Sequence, residues 1–261
     1  MSGPRGLSRL VWLDYCAALR ERKTWIAAAM LIYAVLSIPV VLAQPPPHVR
    51  EAIAAWFDSS DAFVIFMFVW IDLAMNKAIA FLPVVLASTV LLRERDTGVL
   101  AILAAKPISL GRYFVVRTLS VCAVMATLHV GSQGLGALWF PGQVAGFRPG
   151  VFLAAMSLHL FAAVFATALA ATLAVATGRR GASALLSLVL FGLLVGMALV
   201  GFYQPAWQTA TLFNPFTLGA LSLAHLDALG PGVLLPPMLA LAALTVVTIA
   251  AGARLARRME A

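Results

Sequence analysis

The segment LLRERDTGVLAILAAKPISLGRYFVVR, residues 91–117, decides how the rest of the chain is interpreted. A long apolar run ends at Leu92, and the next four residues are all charged. A short stretch rich in Ala and Leu follows, Pro107 interrupts it, and the chain then becomes apolar again. Because Pro cannot continue a helix and Ser109 is a favourable helix N-cap, the segment predicts a short helix, a break and a second helix. The question is why two apolar stretches are joined by such a compact charged element.

Apolar runs of about 20 residues make up most of the chain. Of its 261 residues, 62% are hydrophobic and only 11% are charged, whereas a soluble domain carries about 25% charged residues. In hydrocarbon only helices and closed barrels satisfy their backbone hydrogen bonds, and the alternating segments typical of barrels do not occur in this sequence. The sequence therefore predicts an all-α polytopic membrane protein.

Six stretches are long and apolar enough to span a bilayer as helices. We expect one transmembrane domain, residues 1–261, with spans at about 24–43, 73–92, 114–140, 151–177, 182–203 and 232–253. The charged element at 93–113 connects the second and third spans. Before the first span, residues 7–22 predict an amphipathic helix at the membrane interface. At 100° per residue its apolar face is formed by Leu7, Val11, Trp12, Tyr15, Ala18 and Leu19.

The basic residues are distributed unevenly between the two sides of these spans. Of the 18 Lys and Arg residues, 15 fall on the side of the charged element, and the exceptions are Arg50, Lys77 and Arg148. Since Lys and Arg are enriched in cytoplasmic loops, both termini are predicted to be cytoplasmic. The net charge of +8 is then explained by this topology, in which the basic residues are attracted to anionic lipids. Nucleic acid is therefore not expected as a partner.

Polar residues within the predicted spans are candidate functional residues, because ionisable groups are costly in a membrane. His129, Gln133 and His159 could line a substrate path, or they could form ordinary interhelical hydrogen bonds. A second group is expected at the outer edge of the second span, when residues are counted back from Arg93 at 1.5 Å per residue. This group could form an outer gate or simply end the span, and it consists of Asp72, Asn76 and Lys77.

Small residues and missing motifs narrow the possible functions further. Gly192 and Gly196, spaced as GxxxG, offer a flat surface on the fifth span, for a dimer interface or for ordinary packing. The four His residues show no metal-ligand spacing, so no metal site is expected. The spans contain no catalytic pair at membrane depth, which argues against an intramembrane enzyme. Because the phosphate-binding pattern G-x-x-x-x-G-K-[ST] is also absent, we expect no catalytic residue and no ATP site in this chain.

The charged element resembles the characteristic segment of ABC-2-type transporter permeases. In that pattern an acidic and basic cluster is followed by Gly, a leucine-rich helix, Pro, a small polar residue and a basic residue in the next span. The residues that match it are Glu94, Arg95, Gly98, Leu100, Leu103, Pro107, Ser109 and Arg117, and Asp96 belongs to the same charged cluster. The six-span layout, the N-terminal helix and an Asn-Pro-Phe motif at 214–216 are also similar to the family.

The resemblance implies that the element is a coupling helix, seated in a groove of a separate ABC ATPase subunit that binds ATP and Mg. It implies a second permease subunit, identical or related, and a location in the bacterial cytoplasmic membrane. The expected function is therefore ATP-driven export of a substrate through a membrane-spanning permease subunit. A second hypothesis is a non-transporting anchor or assembly subunit, which would use the same element to relay force to a partner.

Overall fold

The computed structural model describes residues 4–43, 51, 61–99, 109–203, 214, 216 and 226–258. All secondary structure in these parts of the chain is helical. The helices are α1 Pro4–Leu19, α2 Arg22–Ala43, α3 Ala62–Val69, α4 Asn76–Ala87, α5 Leu92–Asp96, α6 Leu110–Trp139, α7 Pro149–Thr177, α8 Arg180–Tyr203 and α9 Pro231–Arg257. A π-helical turn, Trp70–Met75, joins α3 to α4, and short 3₁₀ turns occur at Phe140–Gly142 and Leu226–Ala228.

Six helical segments are long and apolar enough to cross a membrane, as expected of a multi-pass membrane protein. They are Arg22–Val40, Ala62–Asp96, Leu110–Gly142, Pro149–Thr177, Arg180–Ala198 and Pro231–Arg257. The prediction of an all-helical chain with six spans is confirmed. The second segment, however, begins at Ala62, and not near residue 73 as predicted. The very apolar stretch before Asp72 continues the helix, because its aromatic side chains are buried in the bundle.

Local sequence signals set the helix ends. Asp61 caps α3 by accepting a hydrogen bond from the Phe63 amide at 2.8 Å. Ser109 caps α6 in the same way, with the Arg112 amide as donor at 3.3 Å. At its end α7 stops at Gly178, whose φ of +62° is left-handed and favours glycine. The predicted N-cap role of Ser109 is therefore seen in the structure.

The helices pack most tightly where α6, α7 and α9 meet. A Cβ atom at Gly252 of α9 would collide with the ring of Phe114 and lie 2.7 Å from the Thr172 hydroxyl oxygen. That hydroxyl donates a hydrogen bond across the interface to the Thr248 carbonyl at 3.1 Å. Only a glycine allows this approach, so Gly252 fixes α9 against its two neighbours.

Charged contacts at both ends of the bundle define its length. Arg148 before α7 pairs with Asp61 before α3, and Arg180 after α7 pairs with Asp96 at the end of α5. The 29 residues of α7 rise about 43 Å at 1.5 Å per residue, which matches a bilayer of about 40–45 Å including its headgroups. The second span therefore runs between the same two levels as α7. We call the level of Asp96 the basic end and the level of Asp61 the opposite end.

This frame corrects the predicted position of the three polar residues in the second span. Lys77 lies 16 residues after Asp61 (77 − 61) and 10 before Ala87, the last residue of α4 (87 − 77), or about 24 and 15 Å along the helix. Asp72 and Asn76 lie within five residues of it, in or directly after the π turn. All three therefore belong to the middle of the span and not to its outer edge. The error arose because counting from Arg93 assumed a span of about 20 residues, whereas this segment has 35.

Candidate functional site

The charged element begins where the second span leaves the α-helical conformation. Two successive i→i+3 hydrogen bonds of 3.1 Å, from Val90 to Ala87 and from Leu92 to Thr89, tighten the chain after α4. Leu91 then adopts a left-handed conformation with φ +63°, although it is a bulky residue that is fully buried. A conformation of this kind costs about 1–3 kcal/mol and persists only where the surroundings impose it. As a result, α5 forms a separate five-residue helix that carries the charges.

We call residues 93–96 the charge hub, because each of its four side chains reaches a different neighbour. Glu94 makes the most buried contact, and its Oε1 lies 3.2 Å from Nη2 of Arg117 in α6. The other terminal nitrogen of Arg117 donates to Oδ1 of Asp14 in α1 at 2.5 Å. The three side chains retain only 12–17% of their exposure. They form a buried triad that joins α1, α5 and α6.

The remaining hub residues make more exposed contacts with other helices. Asp96 accepts a charged hydrogen bond from Arg180, the first residue of α8, at 2.8 Å. Arg93 lies 3.9 Å from Glu21, at the corner between α1 and α2. The Arg95 guanidinium lies against Gly178 at the end of α7, 3.2 Å from where a Cβ would be. The hub is therefore in contact with the basic ends of α2, α6, α7 and α8.

The buried triad contains one positive and two negative side chains. Within the described residues, Oδ2 of Asp14, Oε2 of Glu94 and Nε of Arg117 are buried without a hydrogen-bond partner. A buried polar atom left unpaired costs about 1–3 kcal/mol, so the triad depends strongly on the central guanidinium. Tyr113 adds a long 3.5 Å hydrogen bond to Glu94. Removal of any one charge therefore changes the stability of all three helices.

Other predicted residues of the charged element are only partly described. Gly98 has a φ of +75°, which only glycine adopts easily, and a Cβ added there would meet no atom within 4 Å. Leu100, Leu103 and Pro107 lie outside the described residues. The docking of residues 93–113 on an ATPase stays a prediction.

The N-terminal helix is observed as α1 and packs along α6. In addition to the Asp14 contact, the Ser120 hydroxyl donates to the Val11 carbonyl at 3.0 Å. Trp12 and Leu13 are 62% and 57% exposed, which leaves apolar side chains on the outside of the helix. Its position at the membrane interface stays a prediction.

His129, Gln133 and His159 come together in the interior, at the contact of α6 with α7 and the π turn. Their exposed fractions are 3%, 2% and 0%. A ring nitrogen of His129 lies 3.0 Å from the Met156 carbonyl oxygen of α7. This geometry corresponds to the interhelical hydrogen bonds that were the alternative to path lining.

Gln133 clamps both ends of the π turn. Its Oε1 accepts a hydrogen bond from Nε1 of Trp70 at 3.2 Å, and its Nε2 lies 3.2 Å from the sulfur of Met75. These two residues are the first and last of the turn. Because π turns are frequently found at functional sites, this clamp makes the middle of the second span a region of interest.

The opposite end carries a cluster that the sequence analysis missed. Arg148 lies 2.6 Å from Asp227 and 3.3 Å from Asp61, and its guanidinium carbon stands 4.6 Å from the centre of the Phe63 ring. These groups are 36–83% exposed. The sequence did contain an indication of this cluster. On the side away from the basic end, three apolar helices each begin one to four residues after a charged residue, namely Asp61, Arg148 or Asp227. We call Asp61, Arg148 and Asp227 the opposite-end cluster.

The Asn-Pro-Phe motif and the GxxxG pair both involve α8. Asn214 donates from Nδ2 to the Leu194 carbonyl of α8 and accepts from the Phe216 amide at 3.0 Å. A Cβ added at Gly192 or Gly196 would meet no atom within 4 Å, so the Gly surface is open in the single chain. A dimer interface on this surface stays a prediction.

The arrangement defines a helical membrane protein whose second span ends in a charge hub. In the part of the chain that the structure describes, no group of three His, Cys, Asp or Glu side chains could hold a metal ion. A scan against protein-family models gives no match, and no curated protein is similar to the chain at a significant level.

Proposed function

We propose that the chain is the membrane-spanning permease subunit of an ATP-driven transporter of the ABC-2 type. A separate ATPase subunit, which binds ATP and Mg, would act on the charged element, and a second permease subunit would complete the path for export. The observation that supports this proposal most directly is the charge hub. Its four side chains contact the basic ends of four other helical elements, so a force applied at one short helix would reach most of the bundle.

The buried triad is the stiff part of this linkage. Arg117 holds Glu94 on one side and Asp14 on the other, so a displacement of α5 would move α6 and α1 together. Charge-assisted hydrogen bonds in a partly buried site are roughly twice as strong as neutral ones. The exposed Asp96–Arg180 contact would transmit less force, because exposed ion pairs contribute only about 0–1 kcal/mol.

The proposed orientation places the hub in the cytoplasm and the opposite-end cluster outside. Closure of the ATPase subunits would push α5, and the second and third spans would tilt. Opening towards the outside would then require Arg148 to separate from Asp61 or Asp227. Both contacts are exposed, so water can replace them at little cost.

The test is co-purification of the ATPase subunit together with ATP-dependent transport in vesicles. Gly98→Pro is expected to disrupt the left-handed turn after α5, and Glu94→Lys is expected to reverse the charge that faces Arg117. Both variants should insert in the membrane but lose ATPase binding and transport. Glu51→Lys is the matched control, because it reverses an exposed acidic residue in the loop predicted to be outside.

The two hypotheses on function give different results in this experiment. A permease shows substrate flux that depends on ATP and is lost in Gly98→Pro. An anchor or assembly subunit retains ATPase binding in the unmodified chain but gives no flux with any candidate substrate. Normal binding and flux in both Gly98→Pro and Glu94→Lys would refute a coupling role of the charged element at residues 93–113.

A further inference from the structure

A groove of about 370 Å³ lies between α2 and the second span. Its volume falls within the range of about 300–1,000 Å³ that small-molecule sites occupy. Met30 and Phe81 are 46% and 42% exposed, so the groove opens on the surface that faces lipid. The apolar lining consists of Met30, Leu31, Ala34, Ile38, Ala74, Met75, Ala78, Phe81 and Leu82.

Lys77 is the charged residue in this apolar lining. It is exposed and lies about midway along the second span, where a lysine costs about 2.5–3.5 kcal/mol on insertion scales. Asp72 interacts with it electrostatically, but no carboxylate of the described residues lies within 4 Å of its ammonium. From mid-depth, its side chain also cannot easily reach the headgroup region, as lysines at span ends do. Lys77 therefore places a positive charge, which is unfavourable at this depth of the membrane, in the wall of an apolar groove.

The interior of the bundle determines where this cation lies. Gln133 bonds to both ends of the π turn, and the turn adds a wider loop to the helix just before Lys77. Lys77 follows the turn by two residues and precedes Phe81 by four, so these two side chains lie on the same face of α4. Both of those residues line the groove. The π turn, its clamp and the groove thus form one arrangement.

We propose that this groove binds an anionic amphiphile, with its apolar chain between α2 and α4 and its charged group on the Lys77 ammonium. The nearby Asp72 carboxylate disfavours a multiply charged group, because like charges repel, so a head with a single negative charge fits best. The charged group would lie deeper than a resident lipid phosphate, as expected of a molecule in transit. The assignment of this ligand as cargo rests on the proposed function, whereas its binding does not.

The experiment uses the full chain in phosphatidylcholine nanodiscs, without an ATPase subunit. The probes are a photoactivatable long-chain fatty acid and the fatty alcohol with the same chain, and peptide mapping locates the labelled residues. We expect the acid to label 30–38 and 74–82 about tenfold more than the alcohol, as one charge-assisted hydrogen bond provides. Lys77→Met should reduce this ratio to about one, and Lys77→Arg should keep it.

Two further variants separate the charge from the groove. Ala34→Phe fills the groove and should reduce labelling by both probes. Arg9→Gln removes an exposed basic residue of α1 that does not line the groove, and it should leave labelling by both probes unchanged. A melting curve of each variant shows that it is folded.

Several results would overturn the proposal. These are equal labelling by acid and alcohol in the unmodified chain, an unchanged ratio in Lys77→Met, or labelling outside the groove. If neither probe labels the groove and Ala34→Phe changes the oligomeric state, a second copy of the chain fills the groove instead. Because no ATPase is present in this experiment, absence of fatty-acid binding would not contradict the proposed coupling role of the charged element. Likewise, failure of the coupling experiment would not contradict fatty-acid binding in the groove.

Discussion

Replacement of Arg117 by Met tests whether the buried triad holds the basic end together. Met has a similar length and no charge, so the substitution removes the guanidinium and keeps most of the apolar packing. Two carboxylates, Asp14 and Glu94, then remain in a site where the side chains are 12–17% exposed. We expect Arg117→Met to be the most destabilising single charge removal in the described part of the chain.

The magnitude follows from the burial of the three groups. Loss of one partner of a buried pair costs about 3–5 kcal/mol, because a charge is left without compensation. Arg180→Gln is the matched comparison, since Arg180 and Asp96 are 47% and 45% exposed and such a pair contributes about 0–1 kcal/mol. Both substitutions remove one arginine from a contact with the charge hub. The expected difference of a few kcal/mol in free energy of unfolding between Arg117→Met and Arg180→Gln therefore measures the effect of burial and not only the loss of a charge.

The assay is reversible unfolding in mixed micelles of increasing SDS fraction, followed by tryptophan fluorescence. A rescue variant tests the cause: with Asp14→Asn and Glu94→Gln added to Arg117→Met, no uncompensated charge remains. Most of the lost stability should return in this triple variant. The reasoning would be refuted if Arg117→Met cost no more than Arg180→Gln, or if neutralisation of the two carboxylates restored nothing.

Four further substitutions have distinct expected outcomes. Gly252→Val should lower the free energy of unfolding by about 1–3 kcal/mol through overpacking, which SDS unfolding measures. Gly192→Val meets no neighbour within the chain, so it should lower the free energy of unfolding only if a second copy packs on that surface. Chemical cross-linking shows whether such a second copy is present. Arg148→Gln should cost less than about 1 kcal/mol, because its ion pairs are exposed, and high salt should reduce even that difference. Gln133→Leu removes two hydrogen bonds to the π turn and should cost about 1 kcal/mol, because such bonds average about 0.6 kcal/mol each within membranes. It should also lower fatty-acid labelling of the groove, and unchanged labelling would show that the π turn does not position Lys77.

The number and type of the spans could be predicted from the sequence because apolar length is a local property. Each 20-residue run reports its own ability to cross a bilayer, whatever its neighbours do. The helix break before Ser109 was also predictable, since Pro107 and a capping hydroxyl act within one turn. The start of the second span was not, because residues 62–71 could equally lie in the interface. Only the packing of Phe66 and Trp70 against Phe140, and of Trp70 against Phe152, makes them part of the helix bundle.

The pairing of charges was beyond the reach of sequence analysis for a different reason. Arg117 and Asp14 are 103 residues apart, and nothing local to either residue indicates the other. The partners of Arg148 are equally remote, because the sequence shows charged residues before three apolar segments on one side but not which of them pair. Partner choice depends on which helix ends meet, and that is a property of the assembled bundle.

The two ends of the bundle differ in a way that bears on the direction of movement. At the basic end, the triad is buried, and separation of its charges would cost several kcal/mol. At the opposite end, Arg148 and its partners are 36–83% exposed, so water replaces their contacts at about 0–1 kcal/mol. A load applied to the charge hub should therefore open the opposite end first and leave the basic end intact. Spin labels at the exposed positions 62 and 228, next to the opposite-end cluster, should move apart when the proposed ATPase subunit binds ATP. Labels at positions 14 and 117 would disrupt the triad, so labels at 9 and 112 should serve as the fixed reference. If the distance at the basic end changed first, the triad would not be the stiff part of the linkage.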